Sequence, residues 1–327
     1  MEIVLEQSRR SWEGHLESAL DALRARPEEE CCIAQAALLI RHNRFAEASE
    51  VAEKLQNCRR VAGRVLCAVV VFEWEEKTTC MDMLYKVKDM LRSSSLLSMK
   101  GLPLTLEESA YWNCRILSLL VACDASSGKY TEAIKRCQEA MVDLGATCWF
   151  GIHLELVRLS VQVGDIEGAR KFLLRLDSIV ESGSVIRVDA NALQIARGIV
   201  EFADSKYNVA YRIFEQMISD LESVEIEDAY FENVFDMQIP PEVTACNNLA
   251  LCSLNLCDLN GAILLIEQCI KKNPRTNLHP SLVFNLCTLY DLARSREESR
   301  LAKESLQRLA EKMGISSRFD AKTDLRM

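Results

Sequence analysis

Residues 242–274 read EVTACNNLALCSLNLCDLNGAILLIEQCIKKNP, and this stretch decides the fold. Its first half ends in Asn247-Asn248-Leu249-Ala250-Leu251; a tight corner follows, then a second helical stretch holding Ala262. Leu249 and Ala250 fall where the first helix is pinched against the second. Ala262 falls where the second helix crosses closest, a place that needs a small side chain. Ile266 and Cys269 continue the buried stripe at helical spacing. Pro274 stops the second helix, because it lacks an N–H and disfavours helix in the residue before it, and Asn273 suits that stop.

Small residues at these offsets, in a frame of about 34 residues opening at Val243, mark a tetratricopeptide unit. The frame recurs upstream through its corner: Ser127-Gly128-Lys129-Tyr130 with Ala133 and Ala140, Gly164-Asp165-Ile166 with Ala169 and Leu173, and Ser205-Lys206-Tyr207 with Ala210 and Phe214. Each reads as a turn, an aromatic or aliphatic plug, then a close-crossing Ala. Gly198 supplies the small residue expected on the first helix of the third of these units. A further candidate is Arg44-Phe45 with Ala48, preceded by Ala36. The alanines are unevenly spaced, so the array is irregular. Between Ala48 and Ala133 the sequence predicts helical pairs whose corner has drifted, since Met81 to Met90 mixes apolar and charged residues like a surface helix. At least five helix pairs are expected.

With 12 Gly and 6 Pro in 327 residues, and no alternating runs bounded by Asn-Gly or Asp-Gly, strands are not expected. The predicted fold class is all-α, a tetratricopeptide-like superhelix of antiparallel helix pairs. Such solenoids grow by stacking and escape the single-core limit on domain size. The expected organisation is helical pairs over 1–106, central repeats over 107–218, an acidic, aromatic insertion over 219–242, and a closing repeat with capping helices over 243–327. The break at Arg92 to Leu106, with Ser93-Ser94-Ser95, Gly101 and Pro103, is read as a long loop, a domain boundary being the alternative.

No run of about 18 apolar residues offers a membrane span, and Glu2, Glu6, Arg9 and Arg10 around three aliphatics do not make a signal peptide. A cytosolic chain is expected. The 14 cysteines lie mostly on apolar helical stripes (Cys67, Cys114, Cys137, Cys246, Cys252, Cys269, Cys287), where a thiol acts as a small hydrophobe. No CxxC occurs, so no metal is expected. His15, His42, His153 and His279 are scattered, and only His279, before Pro280, stands at a helix start. Neither GxxxxGK[ST] nor GxGxxG occurs, so no phosphate-bearing cofactor is expected. Acid pairs such as Glu75-Glu76 and Glu107-Glu108 read as solvated helix positions without a base or metal beside them. The net charge of −9, with no basic stripe interleaved with aromatics, disfavours nucleic acid. No catalytic residue, cofactor or small-molecule substrate is expected.

Charge is unevenly distributed. From Phe214 to Ile270 there is no Lys or Arg, while acids accumulate. Within this stretch 219–241 fits neither helix of a repeat and carries Tyr230, Phe231 and Phe235 ahead of Pro240-Pro241. An acidic segment studded with aromatics is a docking segment for a basic, grooved partner, or else folds its aromatics onto the repeat core. The first reading predicts a salt-sensitive contact.

Tetratricopeptide arrays bind along the face lined by first helices. The frame puts Ile33, Ala37 and Ile40, Leu154, Arg158 and Val161, Ile195, Ile199 and Phe202, and Asn247, Leu251 and Leu254 on that concave groove. The groove is largely apolar and lacks the lysines that clamp a C-terminal carboxylate in chaperone-binding members of the class. An apolar helix or strand from a large partner is therefore the expected occupant.

The stretch from Asn247 to Leu292, above all Leu278-His279 followed by Ser281-Leu282-Val283-Phe284-Asn285-Leu286 and Tyr290, resembles the closing repeats of the subunit-12 family of the trafficking protein particle (TRAPP) complex. Upstream, the resemblance is one of general layout. Members of that family carry a long N-terminal extension that this sequence is expected to lack. The resemblance implies a non-catalytic subunit of a tethering assembly that acts as a guanine-nucleotide exchange factor for Rab-type GTPases, in traffic between endoplasmic reticulum and Golgi and in autophagy. It implies other TRAPP subunits, large ones, as partners, and a cytoplasmic location peripheral to the ER–Golgi intermediate compartment or Golgi. In that frame His279-Pro280 starts a helix, Phe284 and Leu286 pack it on the preceding pair, and Asn285 hydrogen-bonds a backbone group in the adjoining turn. The helix Glu297 to Met313, with Leu301, Leu306 and Leu309, serves as the solvating cap.

Overall fold

The computed structural model describes residues 16–26, 28–41, 44–74, 77–98, 101–144, 149–182, 189–222, 240–313 and 324–325. Its helices are α1 (Leu16–Arg24), α2 (Glu29–Arg41), α3 (Phe45–Leu55), α4 (Val61–Trp74), α5 (Lys77–Arg92), α6 (Leu106–Ser126), α7 (Tyr130–Leu144), α8 (Trp149–Gln162), α9 (Ile166–Glu181), α10 (Ala190–Ala203), α11 (Tyr207–Glu222), α12 (Pro241–Asn255), α13 (Leu259–Lys272), the one-turn α14 (Pro274–Asn277), α15 (Pro280–Ala293) and α16 (Arg296–Lys312). The fold class is all-α, built from consecutive helix pairs in tetratricopeptide order. From α2 to α16 the described residues make seven such pairs, with α14 as a linker. The α4–α5 pair fills the gap where the corner signature lapses. Among the described residues only two isolated bridges occur outside helices, joining Leu97 to Arg60 and to Pro103.

The chain divides into two compact units. One comprises Arg26–Ala37 and Phe45–Ala196, and contains the loop after Arg92; the other comprises Leu38–Arg44, Arg197–Met327 and Glu2–Ala25.

Four corners share one backbone device. Gly128, Gly164, Ser205 and Cys257 stand at φ 73°, 81°, 59° and 65°. The next amide, that of Lys129, Asp165, Lys206 and Asp258, donates back five residues to the carbonyls of Asp124, Ser160, Glu201 and Ser253 at 2.8–2.9 Å. This left-handed closure satisfies carbonyls that the first helix leaves open and turns the chain by the same route each time. Tyr130, Ile166, Tyr207 and Leu259 then begin the second helices. Asp165 and Asp258 also cap them, accepting from the Gly168 and Gly261 amides at 2.9 and 2.8 Å.

Past the corner, Ala133, Ala169, Ala210 and Ala262 are fully buried where the helices cross. Gly198 on α10 meets α11 just as closely: a Cβ there would lie 2.4 Å from Cζ of the fully buried Phe214.

Thiols fill the same interior. Cys67, Cys80, Cys123, Cys137, Cys246, Cys252 and Cys287 are buried and unbridged. Cys80 and Cys123 bring their sulfurs to 3.8 Å within the first unit. Burial pushes the Cys58 and Cys252 thiols up to about 11, and those of Cys67 and Cys137 up to about 12. These sulfurs are therefore neutral at physiological pH and act as packing atoms.

Three outcomes follow from this packing. Gly198→Ala lowers stability by about 1–3 kcal/mol, because the methyl overlaps a ring that has nowhere to go; chemical denaturation reads the loss. Cys257→Gly raises stability by about 0.4–1 kcal/mol, provided the added unfolded-state freedom is outweighed by relief of the left-handed strain; an unchanged or lower melting temperature contradicts that balance. Thiols whose folded pKa lies above the ordinary 9.0 leave stability intact below pH 9 and withdraw it as pH rises toward 11–12, since the unfolded chain ionises first. Denaturation midpoints measured from pH 8 upward should fall once pH 9 is passed.

Candidate protein-docking face

In the second unit the first helices are the end of α10, α12 and α15. On α12, Val243, Cys246, Leu249, Ala250 and Ser253 point inward and are buried. The buried pattern Cys246, Leu249, Ala250, Ser253 repeats on α15 as Val283, Leu286, Cys287, Tyr290. Asn247, Leu251 and Leu254 on α12 therefore correspond to Phe284, Thr288 and Asp291 on α15. Of these, Asn247, Leu251, Leu254 and Thr288 are partly exposed, and Phe284 is 44% exposed.

Ile199 and Phe202 at the end of α10 are also partly exposed, and Phe202 stands edge-on to Tyr207 with ring centroids 5.2 Å apart. Ile195 is partly exposed as well but belongs to the first unit. Leu154 and Val161 there are partly exposed, and Arg158 is exposed with an ion pair to Glu155 at 2.7 Å. Ile33, Ala37 and Ile40 correct the sequence expectation: all three are core residues with at most 7% exposure. Tyr230, Phe231 and Phe235 lie outside the described residues.

The α12 and α15 faces are joined by a polar rung: Asn285 Nδ2 donates to Asn247 Oδ1 at 2.6 Å. The partner of Asn285 is thus a side chain on the neighbouring first helix rather than the backbone group expected. Phe284 likewise departs from expectation, because it stands outward while Leu286 packs inward. The α12 burial pattern repeated on α15 accounts for the outward Phe284.

Below the face, the closing pairs are fixed by polar contacts. His279 is the α15 cap, its Nδ1 accepting from the Ser281 amide at 3.2 Å, with Pro280 in the first turn. Asn277, fully buried, donates to the Cys269 carbonyl at 2.9 Å and ties the linker to α13. Glu267 receives the Tyr290 hydroxyl at 2.8 Å and Arg294 at 3.2 Å, and the Arg294 guanidinium lies 4.0 Å from the Tyr290 ring centre. Burial, and after it the bond to Glu267, raises the Tyr290 pKa above its ordinary range. Asp291 accepts from Ser299 at 2.5 Å and from the buried Lys303 at 2.8 Å, holding α16 to α15. On α16 itself Leu306 is buried, while Leu301 is 48% exposed.

Elsewhere, Arg60 pairs with Glu30 at 2.9 Å, and Arg64 donates to the Cys58 carbonyl at 2.8 Å. Glu108 closes a capping box with Thr105 at the start of α6. Buried His153 stacks edge-on against Phe172 with centroids 6.1 Å apart. Among the described residues no group of three or more metal-ligating side chains gathers, and no helix is long and apolar enough to cross a membrane.

No family model matches the chain. Trafficking protein particle complex subunit 12 of Homo sapiens is 28% identical over 163 residues, 49% of this chain and 19% of that protein. The Mus musculus protein of the same name is 26% identical over 160 residues, 49% of this chain and 17% of its own length. The matched stretch thus spans less than a fifth of either relative. Among solved structures, a tetratricopeptide repeat protein from Parabacteroides merdae aligns at TM-score 0.49 with 11% identity, over 88% of this chain and 98% of that one. A chain of the APC/C hetero-tetramer Cut9–Hcn1 aligns at TM-score 0.42 with 14% identity, over 93% and 58%. In sequence the chain resembles subunit 12 of the trafficking protein particle complex over half its length.

Proposed function

We propose that this chain is a non-catalytic scaffold of a TRAPP-type tethering complex, holding other large subunits along the first-helix face of its second unit. The observation that carries this is the likeness to TRAPP subunit 12 over half the chain, on a fold of helix pairs. The assembly's Rab exchange activity, its place in ER-to-Golgi traffic and autophagy, and a cytoplasmic position at the Golgi or the compartment before it belong to the same proposal. Within it, Ile199 and Phe202 with Asn247, Leu251 and Leu254 supply apolar contact area. Ile195 of the first unit and the aromatics Tyr230, Phe231 and Phe235 of the acidic segment are proposed as further partner contacts.

The test is purification of the tagged chain from its native cells with quantitative mass spectrometry. Several TRAPP subunits recovered in stoichiometric amounts support the proposal. A single client or chaperones without them would favour a general peptide-binding adaptor instead. Ile199→Glu with Phe202→Glu should remove the co-purifying subunits at least tenfold while leaving the circular dichroism spectrum and melting temperature near wild type, since a charge placed in a desolvated contact has no partner. A collapse of helicity would show that the two residues belong to the core.

A further inference from the structure

Two of the four corners put an asparagine at the same station of the second helix, and they differ in the residue that follows it. Asn208 on α11 and Asn260 on α13 each stand one residue past the helix start and two before the close-crossing Ala, and both are exposed. Asn208 is followed by Val209, Asn260 by Gly261. The glycine is required by the cap: a Cβ on it would overlap the Asp258 carboxylate that receives its N–H at 2.8 Å. The cap that starts α13 therefore leaves an Asn-Gly step with its asparagine exposed. On α9 the same cap, Asp165 with Gly168, has Glu167 at that station.

An asparagine before glycine is chemically perishable. The backbone nitrogen of the following residue gives up its proton and attacks the side-chain Cγ; the amide nitrogen takes up a proton and leaves as ammonia. Water then opens the resulting succinimide at one carbonyl or the other, giving aspartate or isoaspartate. Glycine offers its nitrogen with no side chain beside it, whereas the branched Val209 crowds the approach. Folding holds the reaction back, because ring closure requires Asn260 to leave its helical backbone angles and because Asp258 engages the Gly261 N–H. We propose that Asn260 is a site of spontaneous deamidation, set off when the corner between α12 and α13 opens. The two products differ in consequence. Aspartate places an acid where Glu167 already stands in α9, in a first helical turn that favours negative charge. Isoaspartate inserts a carbon into the main chain. Two bonds span that residue, from the Gly261 N–H to Asp258 Oδ1 at 2.8 Å and from the Ala262 amide to the Asp258 carbonyl at 3.0 Å, and the lengthened chain cannot hold both in register.

The full chain is held at physiological pH and temperature for several weeks and digested, and the peptides carrying Asn208 and Asn260 are quantified by mass spectrometry. Asn260 loses its amide about tenfold faster than Asn208. Asp258→Ala, which removes the cap, raises the Asn260 rate about fivefold in a chain that circular dichroism shows to be folded, and Asp258→Asn, which restores a capping side chain, brings the rate back toward wild type. An isoaspartyl methyltransferase with labelled S-adenosylmethionine detects the rearranged product. The chain carrying it melts below the Asn260→Asp variant, which keeps the wild-type melting temperature. Asn260 surviving intact, or decaying no faster than Asn208, overturns the site. A rate indifferent to Asp258→Ala overturns its control by the corner, and an isoaspartyl form that melts with the Asn260→Asp variant overturns the disruption assigned to the extra carbon.

Discussion

Everything in this molecule depends on how closely two helices of a pair are allowed to meet. The pairs close because the crossing point holds a methyl or a hydrogen: Ala133, Ala169, Ala210 and Ala262 on the second helices, and Gly198 against the Phe214 ring. The left-handed corner sets the angle at which the second helix leaves, and the crossing residue sets how near it comes. Long side chains such as Leu249 and Ile266 are then buried in the remaining volume. Stacking of one pair on the next follows, since an isolated pair would leave its other apolar stripe in water.

That constraint explains what the sequence disclosed. Corners built from Gly128, Gly164, Ser205 and Cys257 all precede a plug and an Ala, and each was visible. The α4–α5 pair carries no such corner, and the α15–α16 connection uses a Ser295 capping box with Glu298, so the sequence predicts helices there without marking where they turn. The groove was harder. In α2 every residue from Ile33 to Ile40 is buried, so an apolar frame position there says nothing about a free face. On α15 the reverse holds: the resemblance implied that Phe284 packs on the preceding pair, whereas the inward neighbours Val283, Leu286 and Cys287 leave it outside.

The second unit also shows how an acid-rich sequence is made compatible with close packing. Basic residues from beyond the stretch 214–270 reach back to it: Lys272 pairs with Glu242 at 3.0 Å, and Lys271 and Arg294 meet Glu267. These two acids of α12 and α13 are thereby paired within the second unit.

The interior thiols carry a consequence for the lifetime of the folded chain. While closed, they are neutral and sheltered, so peroxide and disulfide donors find little thiolate to attack. Opening of a pair reverses both conditions at once, exposing sulfurs such as Cys80 and Cys123 to ionisation and to oxidation. A thiol oxidised while the pair is open no longer fits the space it left, so that molecule cannot close again. Outside a reducing environment the survival of this protein then depends on how often its pairs open and on how often an exposed thiol is oxidised before the pair recloses.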